Sequence, residues 1–184
     1  MMELFHGSPA ETAGRQDREI RVYRFLDEQG VPFDRADHLD EPAADMEACL
    51  KIDAILNVKM CKNLFLCNRQ KTQFYLLAMP GDKPFKTKEL SGQLGISRLS
   101  FADETFMEKL LDLHPGSVSV MGLMNDHEHR VRLVMDEDLL REEMFGCHPC
   151  VNTSSIRFAT KDLVGKILPA LGITYDTVHL IGKE

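Results

Sequence analysis

The residues with the clearest chemical potential surround a single lysine. Lys62 and Asn63 stand immediately before a short apolar run, residues 64–67, and an apolar run of this length between polar residues is typical of a buried strand. A lysine ammonium at the mouth of such a strand offers three donors and a point charge, which suit a phosphate or a carboxylate. A solvated lysine that merely flanks a strand shows the same pattern, so the run alone leaves both interpretations open.

A second group of polar residues follows a predicted helix. Gly116 and Ser117 open the next predicted strand, and because glycine lacks a Cβ, the backbone amides there can approach a ligand closely. Asn125 lies where that strand ends, and a turn is its simplest role. Small residues at the start of a strand are common, so this group is informative only in combination with others.

A third group lies in a loop between two predicted strands. His148 and Pro149 are followed by Asn152, which concentrates polar side chains in one short segment. A histidine beside a proline in a loop is compatible with a structural role as well as with a site. The sequence contains no recognisable serine or cysteine triad and no glycine-rich phosphate loop. An enzyme with this sequence would therefore rely on positioning rather than on a side-chain nucleophile.

The cysteine spacing raises a zinc or redox alternative. Cys147 and Cys150 form a Cys-x-x-Cys pair, but the pair leads into a predicted strand, whereas thioredoxin-type pairs lie at the start of a helix. A zinc site would need two more ligands, and His127 and His129 are the available residues.

Composition sets the class of protein. The chain has 184 residues, of which 43% are hydrophobic and 28% charged, as expected for a globular protein with one core. It has no apolar stretch of about 18 residues that could cross a bilayer, and its five cysteines are an odd number without a secretory signal, which favours reduced thiols and a cytoplasmic location.

The net charge of −7 argues against bulk attraction to nucleic acid. A local basic patch remains open, because seven cations fall in one stretch: Lys59, Lys62, Arg69, Lys71, Lys83, Lys86 and Lys88.

The pattern of apolar residues predicts a mixed α+β domain built around one sheet. Residues 1–14 are expected to be a flexible leader, and residues 15–184 a single domain. Helices are predicted at 16–29, 42–50, 86–94, 103–113 and 160–171. Strands are predicted near 33–38 and at 63–67, 73–79, 117–124, 131–135, 143–147, 154–158 and 175–180. The strands 63–67 and 73–79 are predicted to form a hairpin.

Taken together, four pieces of this sequence resemble the YbaK/aminoacyl-tRNA editing family: 61–66 (CKNLFL), 115–119 (PGSVS), 123–126 (LMND) and 148–153 (HPCVNT). The resemblance is closest to the ProX branch, the prolyl-tRNA-synthetase-associated domain as a free-standing protein. It implies a mixed, partly barrel-like β-sheet surrounded by helices. It also implies trans-editing, the hydrolysis of alanine mischarged on the proline tRNA, with no metal or other cofactor. The implied partners are the acceptor end of a mischarged tRNA and prolyl-tRNA synthetase.

The same resemblance implies roles for individual residues. Lys62 corresponds to the essential lysine of the family, which is expected to hold the phosphate of the terminal adenosine or the ester, and Asn63 assists at the same edge. Gly116 and Ser117 match a loop whose backbone orients the aminoacyl carbonyl. His148 matches a histidine that lines the small pocket for the aminoacyl side chain.

Three weaker positions and one departure complete the comparison with the family. Asn125, Pro149 and Asn152 are carried over as substrate-binding residues. The family loop commonly reads Gly-x-x-x-Pro, whereas this chain has Val120 four positions after Gly116, and proline would fix φ there. Substrate choice therefore stays open among alanine, cysteine and serine. A non-catalytic module that binds tRNA or synthetase through the same basic edge is the alternative from another class.

Overall fold

In the part of the chain that the computed structural model describes, residues 2–40, 42 and 46–182, helices surround two β-sheets. The strands are β1 (Glu3–His6), β2 (Phe33–Asp37), β3 (Cys61–Cys67), β4 (Phe74–Pro80), β5 (Ser100–Phe101), β6 (Val131–Asp136), β7 (Met144–Cys147), β8 (Ser154–Ala159) and β9 (Tyr175–Val178). The helices are α1 (Asp17–Glu28), α2 (Met46–Leu56), α3 (Thr87–Leu94), α4 (Glu104–Leu111), α5 (Glu137–Arg141), α6 (Thr160–Asp162) and α7 (Leu168–Ala170), with a 3₁₀ helix (Val120–Asn125) and a π-helical turn (Leu163–Ile167).

The strands form two sheets rather than the single predicted sheet. The first has the order β1-β2-β8-β7 and is antiparallel throughout. The second has the order β5-β3-β4-β6-β9 and is mixed, because β6 runs parallel to both β4 and β9. An isolated parallel bridge between Met60 and Gly146 joins the start of β3 to β7. The α+β class is confirmed, but strand patterns alone do not specify pairing, so the division into two sheets was not predictable from them.

The hairpin of β3 and β4 is confirmed, and it sets the position of the site. Strand β4 lies between β3 and β6 and is buried on both faces as far as Met79, which explains its continuous apolar sequence. Strand β3 is half-buried over its first four residues and buried from Phe65 onward. Its first residues therefore lie at the edge of the core, where they are accessible to a ligand.

The helices near the hairpin begin and end at the predicted residues or close to them. Helix α1 buries Val22, Tyr23 and Leu26 on one face. Helix α3 ends at Gly95, whose φ of 65° is left-handed, a conformation that glycine adopts at little cost. The carboxylate of Asp103 accepts from the first turn of α4, as an N-cap does.

The predicted strand 117–124 is wrong. Residues 120–125 form a 3₁₀ helix, with the Ser119 hydroxyl accepting from the Met121 amide at its start. Val120, Met121 and Leu123 are all buried, and a short apolar run without alternation fits a buried helical turn as well as a strand. Gly122 allows the close packing, since a Cβ there would lie 2.6 Å from Leu113 Cδ1.

Two other predictions near the N-terminus differ from the structure. Residues 3–6, expected in a flexible leader, form edge strand β1 against β2. All four residues are exposed, so the strand has no buried face that would give the sequence an alternating hydrophobic pattern. The predicted helix 42–50 overlaps α2, which extends to Leu56, while residues 43–45 lie outside the described part of the chain. None of the helices described combines the length and hydropathy needed to span a membrane.

Candidate functional site

A cavity of about 500 Å³ lies where the start of β3 meets the turn after β4, helix α2 and two loops. Lys62 and Asn63 enter it from β3, Gly116 from the loop after α4, and His148 from the loop after β7. The structure thus brings together four residues that are separated by up to 86 positions in the sequence. A cavity of this volume lies in the range that encloses small-molecule ligands.

Part of the cavity lining is apolar. It consists of side chains from α2 and from the residues that flank the polar groups, namely Leu50, Ile52, Met60, Cys61 and Val118. Low polarity strengthens the interactions of the charged and hydrogen-bonding groups that line the same cavity. The arrangement suits a ligand with an apolar part and an anionic part.

Within the described part of the chain, Lys62 makes no direct ion pair. Its positive charge in this cavity is therefore not compensated by a carboxylate in direct contact. Its ammonium donates to the main-chain carbonyl oxygen of Lys83 in the turn after β4. Burial lowers the pKa of Lys62, and the nearby Asp82 carboxylate opposes that shift. Because a carbonyl accepts only one of its three donors, the ammonium retains donors for an anionic ligand.

The seven cations of residues 59–88 do not form one patch. Lys59 contacts Asp82 at 3.2 Å, beside the cavity. Lys71 pairs with Asp103 at the opposite end of the hairpin, beyond the last strand pair of Cys67 and Phe74. The charge clustering in the sequence is therefore distributed along the hairpin, and Lys62 rather than a broad basic face marks the site.

Asn63 presents an acceptor that has no protein partner. Its Nδ2 donates to Cys61 Sγ at 3.2 Å, while Oδ1 is buried without a hydrogen bond among the described residues. Leaving a buried acceptor unpaired costs about 1–3 kcal/mol, and a ligand donor can pair with Oδ1 once the Asn63 amide turns toward the cavity. Burial raises the pKa of Cys61 to about 12, and its thiol is therefore protonated and a poor nucleophile at neutral pH.

The loop after α4 requires glycine at position 116. Gly116 has a φ of 85°, and a Cβ on it would lie 3.6 Å from Asn152 Nδ2, so Asn152 is adjacent although it does not line the cavity. Ser117 is turned away. Its amide donates to the His114 carbonyl oxygen at 3.1 Å and its hydroxyl to the same atom at 2.8 Å. Ser117 thus closes the turn that presents Gly116.

His148 is held in one tautomer. Its Nδ1 lies 3.1 Å from the Ser154 carbonyl oxygen, which can only accept, so Nδ1 carries the proton and Nε2 is an acceptor. Ser155 Oγ lies 3.2 Å from the same nitrogen and 3.1 Å from His38 Nε2. Burial lowers the pKa of His148 to about 4; the Ser154 carbonyl opposes the shift and His38 adds to it. The imidazole is therefore neutral at physiological pH.

Four of the predicted substrate-binding residues do not line the cavity: Ser117, Asn125, Pro149 and Asn152. The Asn125 amide donates to the Leu111 carbonyl oxygen at 2.9 Å, which ties the 3₁₀ helix to α4. Val120 is buried in the core rather than in the cavity.

The turn after β4 also contributes to the cavity. Gly81 and Asp82 line it, and neither was among the predicted site residues. The antiparallel register that pairs Cys61 with Pro80 carries this turn to the start of β3. Once the hairpin is predicted, pairing the residues of the two strands outward from their connection would have placed this turn beside Lys62.

The zinc alternative is not supported by the structure. Cys147 and Cys150 are buried, and burial raises the pKa of both thiols, whereas zinc binds thiolates. His127 and His129 are exposed. In the described residues these four do not form a group with convergent donor atoms.

Comparisons with known proteins identify the family of this chain. The family model of the aminoacyl-tRNA editing domain matches residues 40–165. The chain is 33% identical to the prolyl-tRNA editing protein ProX of Acetoanaerobium sticklandii, over 89% of this chain and 98% of that protein. It is 31% identical to prolyl-tRNA synthetase associated domain-containing protein 1 of Danio rerio, over 56% of each chain.

The fold is also found among solved structures. One is a protein described as a candidate trans-editing enzyme for prolyl-tRNA synthetase, which superimposes with a TM-score of 0.64 at 17% identity, over 90% of this chain and 98% of that one. At that identity the likeness concerns the fold alone. The family match and the identity to ProX extend over most of the chain, and so this protein belongs to the aminoacyl-tRNA editing domain family.

Proposed function

We propose that the protein is a trans-editing deacylase that hydrolyses alanine mischarged on the proline tRNA, acting in the cytoplasm. The observation that carries the proposal is the convergence of Lys62, Asn63, Gly116 and His148 on one cavity. The name of its relative, a prolyl-tRNA editing protein, supports the choice of tRNA. Five cysteines without a disulfide in the structure support a reducing compartment.

The cavity offers what hydrolysis of an aminoacyl ester needs. In the reaction, the oxygen of a water attacks the ester carbonyl carbon, the bond to the ribose oxygen breaks, and the ribose oxygen takes the proton. The ester is already activated, so the main requirements are a placed water and fixed donors for the developing oxyanion. Lys62 would anchor the phosphate of the terminal nucleotide, and the backbone at Gly116 would orient the carbonyl.

His148 and Asn63 would act as acceptors for the bound ester. Asn63 Oδ1 has no partner among the described residues, and His148 Nε2 remains an acceptor because Nδ1 donates to Ser154. The amine of the aminoacyl group and the attacking water both have hydrogen-bond donors. Each of the two acceptors can therefore accept a hydrogen bond from one of them. Neither role requires a covalent intermediate.

Discrimination between amino acids would follow from the size of the apolar part of the cavity. An alanine side chain is smaller than the proline ring, and a hydrophobic pocket that excludes the larger group acts as a second sieve. Cysteine and serine are close to alanine in size. Cysteinyl and seryl esters are therefore the alternative substrates to be compared.

The test is a deacylation assay that compares the wild type with two lysine variants. Purified protein is incubated with Ala-tRNA(Pro) and with Pro-tRNA(Pro), and released amino acid is measured over time. We expect alanine release from the wild type and a loss of about 10²-fold for Lys62→Ala, because the ester would no longer be held in the reactive position. Lys88→Ala is the matched control, because Lys88 is exposed and does not line the cavity.

The other outcomes separate the alternatives. Binding of tRNA without release of alanine would make the protein a binding module for tRNA or for prolyl-tRNA synthetase. Faster release from Cys-tRNA(Pro) or Ser-tRNA(Pro) than from Ala-tRNA(Pro) would reassign the substrate. Equal rates for wild type and Lys62→Ala would contradict the role of Lys62.

A further inference from the structure

The turn after β4 accepts a hydrogen bond from the Lys62 side chain. We call residues 80–83 the cradle turn. It closes with a hydrogen bond from the Lys83 amide to the Pro80 carbonyl oxygen, 3.2 Å long, and its Lys83 carbonyl oxygen accepts from the Lys62 ammonium. Asp82 in the same turn favours the charged form of Lys62. The direction of the ammonium therefore depends on where this turn lies.

Close backbone packing fixes one side of the cradle turn. A Cβ on Gly81 would lie 2.6 Å from the main-chain oxygen of Met60, a distance that real Cβ atoms do not tolerate. The absence of a side chain lets the turn lie directly on the residue before β3. Contact with Met60 therefore limits how far the turn can shift toward β3.

An ion-pair cluster fixes the other side. The Lys83 ammonium lies 2.8 Å from Asp136 Oδ2 and 2.7 Å from Asp138 Oδ2. Asp136 is completely buried at the end of β6 and its other oxygen accepts from the Asp138 amide at the start of α5. The two carboxylates raise the pKa of Lys83 although burial acts in the opposite direction. A buried, hydrogen-bonded charge pair of this kind has a defined geometry.

Lys83 itself does not line the cavity that Lys62 enters; its side chain borders a neighbouring groove. Its charge is matched by two carboxylates, so it is poorly suited to bind a phosphate. Its side chain holds the turn, and its main-chain oxygen orients another lysine. The side chain of Lys83 therefore pairs with the two carboxylates, and its main-chain oxygen accepts from Lys62.

We propose that Lys83 and Asp136 are positioning residues that fix the direction of the Lys62 ammonium through the main-chain carbonyl of the cradle turn. The inference rests on the proposed role of Lys62 as the anchor of the substrate. It predicts that substitutions at Lys83 act only through Lys62. The effects of substitutions at Lys83 and Lys62 on binding should therefore be coupled, and a double-mutant cycle measures this coupling.

The cycle uses binding, which is measurable even in inactive variants. The ligand is a microhelix with the acceptor stem of the proline tRNA, carrying alanine through a non-hydrolysable 3′-amide. Dissociation constants are measured for the wild type, Lys62→Ala, Lys83→Met and the double variant. We expect Lys83→Met to weaken binding about tenfold in the wild-type background, and less than about twofold once Lys62 is absent.

Folding controls are needed because Lys83→Met leaves the buried Asp136 charge without its partner. Lys83→Met combined with Asp136→Asn removes both charges, and we expect it to restore the melting temperature without restoring affinity. Lys83→Arg keeps the ion pairs and is expected to bind within about threefold of the wild type. Lys88→Met controls for loss of a surface lysine.

Each outcome has one meaning. Equal weakening by Lys83→Met in both backgrounds would show that Lys83 acts independently of Lys62 and would overturn the inference. So would recovery of affinity together with stability in the variant that lacks both charges. If Lys62→Ala binds like the wild type, the proposed anchor fails instead, and the inference falls with it. Weakening by Lys62→Ala but not by Lys83→Met refutes the inference alone.

Discussion

The neutral state of His148 predicts how the stability of the protein depends on pH. The imidazole donates through Nδ1 to the Ser154 carbonyl oxygen and lies beside His38. Burial lowers its pKa from 6.5 to about 4. In the unfolded chain the same group has its ordinary value. As pH falls between these two values, the unfolded state takes up a proton that the folded state does not.

The sign and size follow from proton linkage. A lowered histidine pKa gives stability that is present above about pH 6.5 and is lost as pH falls toward about pH 4. Each unit of difference corresponds to about 1.4 kcal/mol. Between about pH 7 and pH 4.5, this one group should lower the free energy of unfolding by about 2 kcal/mol. Carboxylates with lowered pKa values, such as Asp34, lose their stabilising contribution at lower pH.

The measurement compares wild type with His148→Asn, which keeps a side-chain donor for Ser154 but does not titrate. Urea unfolding at a series of pH values gives the free energy of unfolding of each protein. The contribution of the carboxylates is common to both, so the difference isolates the histidine. We expect the wild type to lose about 2 kcal/mol more than the variant on acidification to about pH 4.5. Parallel curves, or an NMR titration midpoint near 6.5 for this imidazole, would refute the reasoning.

Three further predictions concern glycines and thiols at the cavity. Gly116→Ala should cost about 1–2 kcal/mol of stability, because the residue has a φ of 85° that a Cβ disfavours; chemical denaturation measures this. Gly81→Ala should lower kcat/KM about tenfold or more, since its Cβ would lie 2.6 Å from a main-chain oxygen. Gly92→Ala is the activity control, as a Cβ there meets nothing within 4 Å; an unchanged free energy of unfolding in Gly116→Ala, or an unchanged kcat/KM in Gly81→Ala, would contradict the argument. Iodoacetamide should modify exposed Cys49 well before Cys61, whose pKa burial raises to about 12, and mass spectrometry of peptides shows the order.

The sequence predicts those parts of the site that depend on local pattern. Lys62 and Asn63 lie before an apolar run, and that run is the strand that the pattern indicates. The hairpin follows from two such runs and a polar connection, and its register carries Gly81 to the cavity. Gly116 has a left-handed φ in the structure, which glycine adopts at little cost and other residues disfavour.

Other parts depend on contacts between distant segments. Residues 120–125 form a 3₁₀ helix in which Gly122 packs on Leu113, and no periodicity in six residues separates such a helix from a strand. The compensation of Lys83 by Asp136, 53 positions later, is likewise invisible in the sequence. Counting cations in a stretch therefore overestimated the basic surface. The long-range ion pairs decide which of the cations remains available to a ligand.

The protonation states around the cavity determine what kind of chemistry it can perform. The Cys61 thiol is protonated, and the His148 imidazole is neutral with a pKa of about 4, so the first is a poor nucleophile and the second a weak base. Hydrolysis must then rely on the placement of water and substrate. We therefore expect the pH profiles of kcat/KM for wild type and His148→Asn to run parallel between about pH 6 and 8, displaced only in height. An inflection near pH 6.5 that disappears in the variant would instead identify His148 as a general base, and the positioning mechanism would have to be abandoned.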